Sequence, residues 1–94
     1  MILFSSEALS DVERLRNFLQ VRNPDAAGRA MRAIWIALQR VEQIPEIGKP
    51  TTDPGIRQIV VRFGRAGYIA RYTVLPVNGT IFVTRIWHTR EARE

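Results

Sequence analysis

Residues 56–88 read IRQIVVRFGRAGYIARYTVLPVNGTIFVTRIWH. Three runs in this stretch, Ile56–Phe63, Tyr68–Leu75 and Thr80–His88, are rich in Val, Ile, Thr and aromatic residues. These side chains suit a pleated, half-buried surface, so each run reads as a strand. Gly64-Arg65-Ala66-Gly67 turns the first run into the second. Pro76-Val77-Asn78-Gly79 turns the second into the third, and Asn-Gly is a strong hairpin signal because both residues tolerate positive φ. The stretch therefore predicts an antiparallel meander. Its alternation is not clean. Ile59, Val61 and Phe63 share one face, but Ile56 and Val60 lie on the other. Arg71 shares a face with Ile69, and Arg85 with Val83 and Trp87. Strands apolar on both faces are commonly covered on both, here by the helices described next and by the chain's own ends, a second copy or a partner.

Upstream of the meander the period changes from two to that of a helix. Met1–Phe4 reads as a short strand, and Ser5 or Ser6 can cap a helix that follows. Ala8, Leu9, Val12, Leu15, Phe18 and Leu19 recur at helical spacing, with Asp11, Glu13, Arg14 and Arg16 placed on the opposite, polar face. Ser10 and Glu13 match a capping box, but the apolar pattern already runs before them, so they are expected mid-helix. Asn23-Pro24-Asp25 restarts the chain as cap, first helical residue and dipole partner. Ala27, Ala30, Met31, Ile34, Leu38 and Val41 then form one stripe that ends before Pro45. So short a link makes the two helices an antiparallel hairpin. Residues 45–55 hold three prolines and two glycines and read as loop. The expected fold is α+β: a short N-terminal strand and an antiparallel helical hairpin packed on a small antiparallel β-meander, in one domain spanning residues 1–94.

Composition narrows the function classes. The chain has no cysteine, which excludes a disulfide framework and thiolate metal sites and fits the cytoplasm. The apolar start runs at once into Ser5-Ser6-Glu7, unlike a signal peptide. The apolar run 33–38 is far too short to span a membrane. Net charge is +5; residues 1–54 carry seven basic and seven acidic side chains, whereas residues 55–94 carry seven arginines against Glu91 and Glu94. Thirteen of the fourteen basic residues are Arg, whose forked donors suit carboxylates and phosphates. An acidic protein, a nucleic acid or simply a solvated basic face fits this balance.

Several pieces now fall in order: Ser5-Ser6-Glu7-Ala8, Asn23-Pro24-Asp25-Ala26-Ala27, Pro45-Glu46-Ile47-Gly48-Lys49-Pro50, Gly55-Ile56-Arg57, Gly67-Tyr68-Ile69-Ala70-Arg71-Tyr72, and Arg85-Ile86-Trp87-His88-Thr89-Arg90-Glu91. In this order and spacing the chain resembles the ParE/RelE superfamily of toxins from type II toxin–antitoxin systems, most of all the ParE, or plasmid-stabilisation, branch. The resemblance covers nearly the whole chain. It implies a cognate ParD-like antitoxin with an acidic tail, no cofactor, no membrane, and no sequence-specific DNA binding by the toxin alone. ParE-like members are described as poisons of DNA gyrase, and RelE-like members as ribosome-dependent ribonucleases. Cleaving RNA beside its 2′-hydroxyl needs a base, a cation for the phosphate and an acid for the leaving oxygen. RelE-like nucleases have lysines and arginines on the strands and a tyrosine beyond the last one. Here Ile69 stands where they have arginine and Ile59 where they have a lysine, while Arg57 stands for another lysine. No tyrosine follows His88.

The residues at issue each have two readings. Arg57, Arg71 and Arg85 either pair with the chain's own carboxylates, for which Glu42, Glu46 and Glu91 are candidates, or meet the antitoxin or target. Trp35 is either core or an exposed anchor. His88 is a structural imidazole or a weak candidate for a catalytic base. Trp87, Arg90 and Arg93 complete the candidate contact set, and a lone His without cysteine makes a metal site unexpected. The expected activity is gyrase inhibition by protein–protein binding. The alternatives are ribosome-dependent mRNA cleavage and a non-toxic relative that only binds an antitoxin.

Overall fold

The computed structural model describes residues 1–91. Ile2–Phe4 forms strand β1, Ser6–Arg22 helix α1 and Pro24–Gln43 helix α2. A 3-10 turn at Pro45–Ile47 leads to β2 (Lys49–Pro50), followed by β3 (Arg57–Phe63), β4 (Ala66–Val74) and β5 (Ile81–His88). The sheet order is β1-β5-β4-β3-β2. The meander β3-β4-β5 is antiparallel, as the composition of residues 56–88 predicts. Two short strands enlarge it. β1 runs parallel to β5, from Ile2 opposite Ile81 to Phe4 opposite Val83, so the five-stranded sheet is mixed. β2 pairs antiparallel with β3 through only Lys49 and Pro50, within the segment expected to be loop. Pro at 50 is compatible with an edge strand, where its missing N–H breaks no inner ladder.

The helix ends follow the local sequence. Ser5 Oγ accepts the Ala8 N–H at 3.0 Å, and its own hydroxyl donates to the Thr84 carbonyl at 2.8 Å. One serine thus caps α1 and ties it to β5. Asn23 alone links the helices: its N–H donates to the Leu19 carbonyl at 2.6 Å, and its Oδ1 accepts the Ala26 N–H at 3.1 Å. It closes one helix while opening the next. The Ser10–Glu13 match lies inside α1, as expected.

Both helices pack on one face of the sheet. Leu15, Ala30, Ile34, Leu38 and Val41 from the helices meet Val61, Tyr68, Ala70, Tyr72, Ile81, Val83 and Ile86 from the strands. Tyr72 reaches through this layer to the loop beyond it. Its hydroxyl donates to the Pro45 carbonyl at 2.6 Å and accepts the Gly48 N–H at 3.0 Å. Gly48 is required there, since a Cβ would lie 2.6 Å from that hydroxyl. The Gly64-Arg65 turn is tighter than the four-residue turn read from the sequence: Phe63 pairs with Ala66 across two residues. Gly64 takes φ +63 whereas Arg65 has no positive φ, the pattern of a II′ turn.

Two expectations change. In α1 the buried residues are Ala8, Asp11 and Leu15, whereas Leu9 and Phe18 are exposed. Asp11 therefore lies on the inner face, not the polar one. Arg85 and Val83 do not share a face, because a bulge at Arg71/Tyr72 leaves Thr84 unpaired and shifts the alternation. The second sheet face carries no further layer among the described residues, and Leu3 and Val60 remain exposed on it.

Candidate functional site

The half of β5 beyond Val83 holds three of the candidate residues, Arg85, Trp87 and His88, and among the described residues it has no strand on its outer side, because β1 ends at Phe4. Its outward N–H groups are satisfied by side chains instead. Asp11 Oδ2 accepts the Ile86 N–H at 2.9 Å, and Glu91 Oε1 accepts the His88 N–H at 2.8 Å. Two arginines complete the arrangement. Arg85 binds Asp11 with a fork, Nε to Oδ2 at 2.7 Å and Nη2 to Oδ1 at 3.1 Å. Arg14 joins the two carboxylates, at 2.7 Å from Asp11 and 3.0 Å from Glu91. Burial alone would push the Asp11 carboxyl up. Hydrogen bonds from Arg85, the Ile86 amide and Arg14 outweigh it, and the group titrates below its ordinary value. The hydrogen bond to Asp11 likewise raises Arg85. Arg14 Nε is buried without a partner.

This node settles the pairing of the strand arginines. Arg85 pairs with Asp11, which was not among the carboxylates expected. Arg57 donates to two carbonyls, Gly48 at 2.7 Å and Glu46 at 3.3 Å, so Glu46 contributes its backbone and not its carboxylate. Arg71 donates from Nε to Gln58 at 3.2 Å, and its guanidinium lies 4.9 Å from the centre of the Trp87 ring, a cation–π geometry. Glu42 pairs with the N-terminal amine instead. The structure thus brings Arg71, Trp87 and Gln58 together on the sheet face away from the helices, and Arg85 and His88 to the end of β5. Trp87 is buried at 6 % exposure, so what it presents outward is chiefly the cation above it. Trp35 stands apart on α2 and is 47 % exposed, which excludes its core reading. Arg90 is exposed, and Arg93 lies outside the described residues. Asp11 and Arg14 are the residues missed. The signal for Asp11 was present in its spacing, since Ala8, Asp11 and Leu15 fall on one helical stripe.

His88 packs edge-on against Tyr68, with ring centroids 5.4 Å apart. Its Nδ1 accepts the Arg90 N–H at 3.1 Å. A neutral imidazole that accepts at Nδ1 carries its proton on Nε2, so its one in-plane lone pair is already hydrogen-bonded. Among the described residues no group of three His, Cys, Asp or Glu side chains could hold a metal ion, and no helix is long and apolar enough to cross a membrane.

A helical hairpin on a mixed sheet, with a charged node closing the last strand, defines a small α+β domain built to present the end of β5 and the sheet face beside it. Residues 2–93 match the family model described as the ParE toxin of type II toxin–antitoxin system, parDE. The chain is 36% identical over 92 residues to Toxin RelE1 of Caulobacter vibrioides, covering 98% of this chain and 96% of the relative. It is 33% identical over 86 residues to Toxin RelE3 of the same bacterium, covering 92% and 90%. The fold is similar to that of the intact E. coli RelBE toxin–antitoxin complex, with a TM-score of 0.65 at 19% identity, covering 100% of this chain and 98% of that one. The chromosomal ParDE system from P. aeruginosa gives a TM-score of 0.65 at 20% identity over 93% and 92%. The chain belongs to the ParE/RelE superfamily of type II toxin–antitoxin toxins. The matching family model carries the ParE name and both relatives carry RelE names.

Proposed function

We propose that the chain arrests growth in the cytoplasm by binding DNA gyrase rather than by cutting RNA, and that a cognate antitoxin with an acidic tail neutralises it. The observation that carries this reading is the state of His88, the candidate base: its Nδ1 lone pair is taken by the Arg90 amide. The arginines that would hold a phosphate are engaged as well. Arg85 is charge-compensated by Asp11, and Arg57 is turned onto loop carbonyls. A transition state that gathers charge on phosphate needs free donors and an available base, and neither is poised here. The similar solved structures include the RelBE toxin–antitoxin complex and the ParDE system, which supports a similar partner for this chain. Trp35 and Arg90 are its exposed anchors, with Arg71 over Trp87 a third contact of the sheet face. The test is gyrase-catalysed supercoiling with purified chain added to saturation. Supercoiling should stop, and an unchanged rate would defeat the proposal.

The RelE names of the two relatives favour one other reading, ribosome-dependent mRNA cleavage. Cleavage of translated mRNA that disappears in His88→Ala would establish it in place of gyrase binding.

A further inference from the structure

Not every cation of this chain is committed. Arg14 and Arg85 hold Asp11, Arg57 holds loop carbonyls, and Arg71 lies over Trp87. Arg40 on α2, Lys49 on β2 and Arg62 on β3 make no ion pair and no side-chain hydrogen bond among the described residues. All three are exposed. The fold brings them to one place, an open groove of about 520 Å³ between α2 and β3. No carboxylate lines this groove, so nothing in it offsets the three positive charges. A cleft lined by one sign of charge concentrates ions of the other.

The remaining lining selects among polyanions. Ala37, Val41 and Ile59 give the groove an aliphatic floor, and Gln58 is its one neutral polar side chain. No aromatic ring lines it. Single-stranded nucleic acid is held by stacking its bases on aromatic side chains, and the groove offers none. A duplex keeps its bases stacked inside and presents phosphates and sugars, which call for cations and a wall. The floor also discriminates between sugars. A ribose 2′-hydroxyl laid against Val41 and Ile59 would lose water without gaining a partner, whereas a deoxyribose has no such group.

We infer that this groove is a sequence-independent binding site for one backbone strand of duplex DNA. Arg40, Lys49 and Arg62 each meet a phosphate, and the aliphatic floor meets the sugars between them. The two arginines add forked donors that suit phosphate oxygens. Neither gyrase nor an antitoxin is needed for this contact, which stands apart from the function proposed above.

The test is fluorescence anisotropy of short labelled DNA duplexes of two unrelated sequences, titrated with the full chain over a range of salt. The two sequences should bind equally. Three phosphates give a slope of log affinity against log salt of about −2.7, or about 40-fold weaker binding between about 50 and 200 mM salt. Each of Arg40→Gln, Lys49→Gln and Arg62→Gln should reduce the slope by about 1. The three together should weaken binding at low salt at least tenfold. These side chains are exposed, so the variants should melt with the wild type. Arg16→Gln removes the same charge from an exposed position of α1 outside the groove and should bind within twofold of wild type. An RNA duplex of the same sequence and the single DNA strand should each bind at least fivefold more weakly. No binding at low salt, a slope that the triple variant leaves unchanged, an equal loss in Arg16→Gln, or equal binding of the RNA duplex or the single strand overturns the inference. So does a polyglutamate chain that competes as well as DNA of equal charge, which would assign the groove to an acidic protein.

Discussion

Replacing Asp11 by alanine removes the carboxylate on which the end of β5 depends. Four hydrogen bonds go at once: two from Arg85, one from Arg14 and one from the Ile86 amide. The side chain is 3 % exposed, so water does not restore the lost acceptor. An unsatisfied buried N–H costs about 1–3 kcal/mol. Breaking a buried ion pair costs about 3–5 kcal/mol. The guanidinium partners, however, are exposed at 37% and 38%, so water screens the charge left behind. The combined loss should be about 3 kcal/mol. At ~4–8 °C per kcal/mol for a chain of this size, the melting temperature should fall by about 12–24 °C. Asp11→Asn keeps one acceptor oxygen and should lose about half as much. The pH dependence has a definite sign. Because the folded-state pKa of Asp11 lies below the unfolded value, its contribution is fully present above the unfolded value and is lost as pH falls through the folded one. Wild type and Asp11→Asn should therefore differ at neutral pH and converge in acid, below the ordinary carboxylate range. Denaturant melts at both pH values measure this. An Asp11→Ala variant within about 0.5 kcal/mol of wild type at neutral pH, the scatter of ordinary surface substitutions, would refute the reasoning.

Gly28 lies inside α2 with nothing within 4 Å of an added Cβ, so Gly28→Ala should stabilise by about 0.4–1 kcal/mol in thermal melts. Tyr72→Phe strands the Gly48 amide and the Pro45 carbonyl; it should cost about 1–2 kcal/mol and speed amide exchange at Gly48. Nitrogen NMR of neutral His88 should show an unprotonated Nδ1 and a protonated Nε2, and the opposite tautomer would contradict the bond from Arg90.

What could be seen in the sequence was local. Ser5 and Asn23 cap helices through bonds three residues away, so their identities announce the helix ends. The three long strands are visible in their β-branched and aromatic content. What stayed hidden depends on residues far apart in the chain. Asp11 meets Arg85 across 74 residues, and although its spacing with Ala8 and Leu15 places it inward, nothing in the residues around it names that partner. The unpaired Thr84 inverts the alternation of β5 with no glycine or proline to mark it. β1 and β2 are three and two residues long and are defined by the strands they join rather than by pattern. Of the candidate site, the arginines and His88 were visible, but their availability was not, because that depends on which acceptors they already hold.

The order of the strands in the sheet differs from their order of synthesis. β5, the last strand made, lies between β1, the first, and β4. Met1 accepts the Ile81 N–H, and the Ser5 N–H donates to Val83, so β1 has no ladder partner until β5 exists. A growing chain that stops before residue 81 carries a helical hairpin and a two-stranded core ribbon with no centre to join them. A product that stops before residue 81 lacks β5 and the surface it presents. An antitoxin that recognises that surface has nothing to bind until residues 81–88 are made.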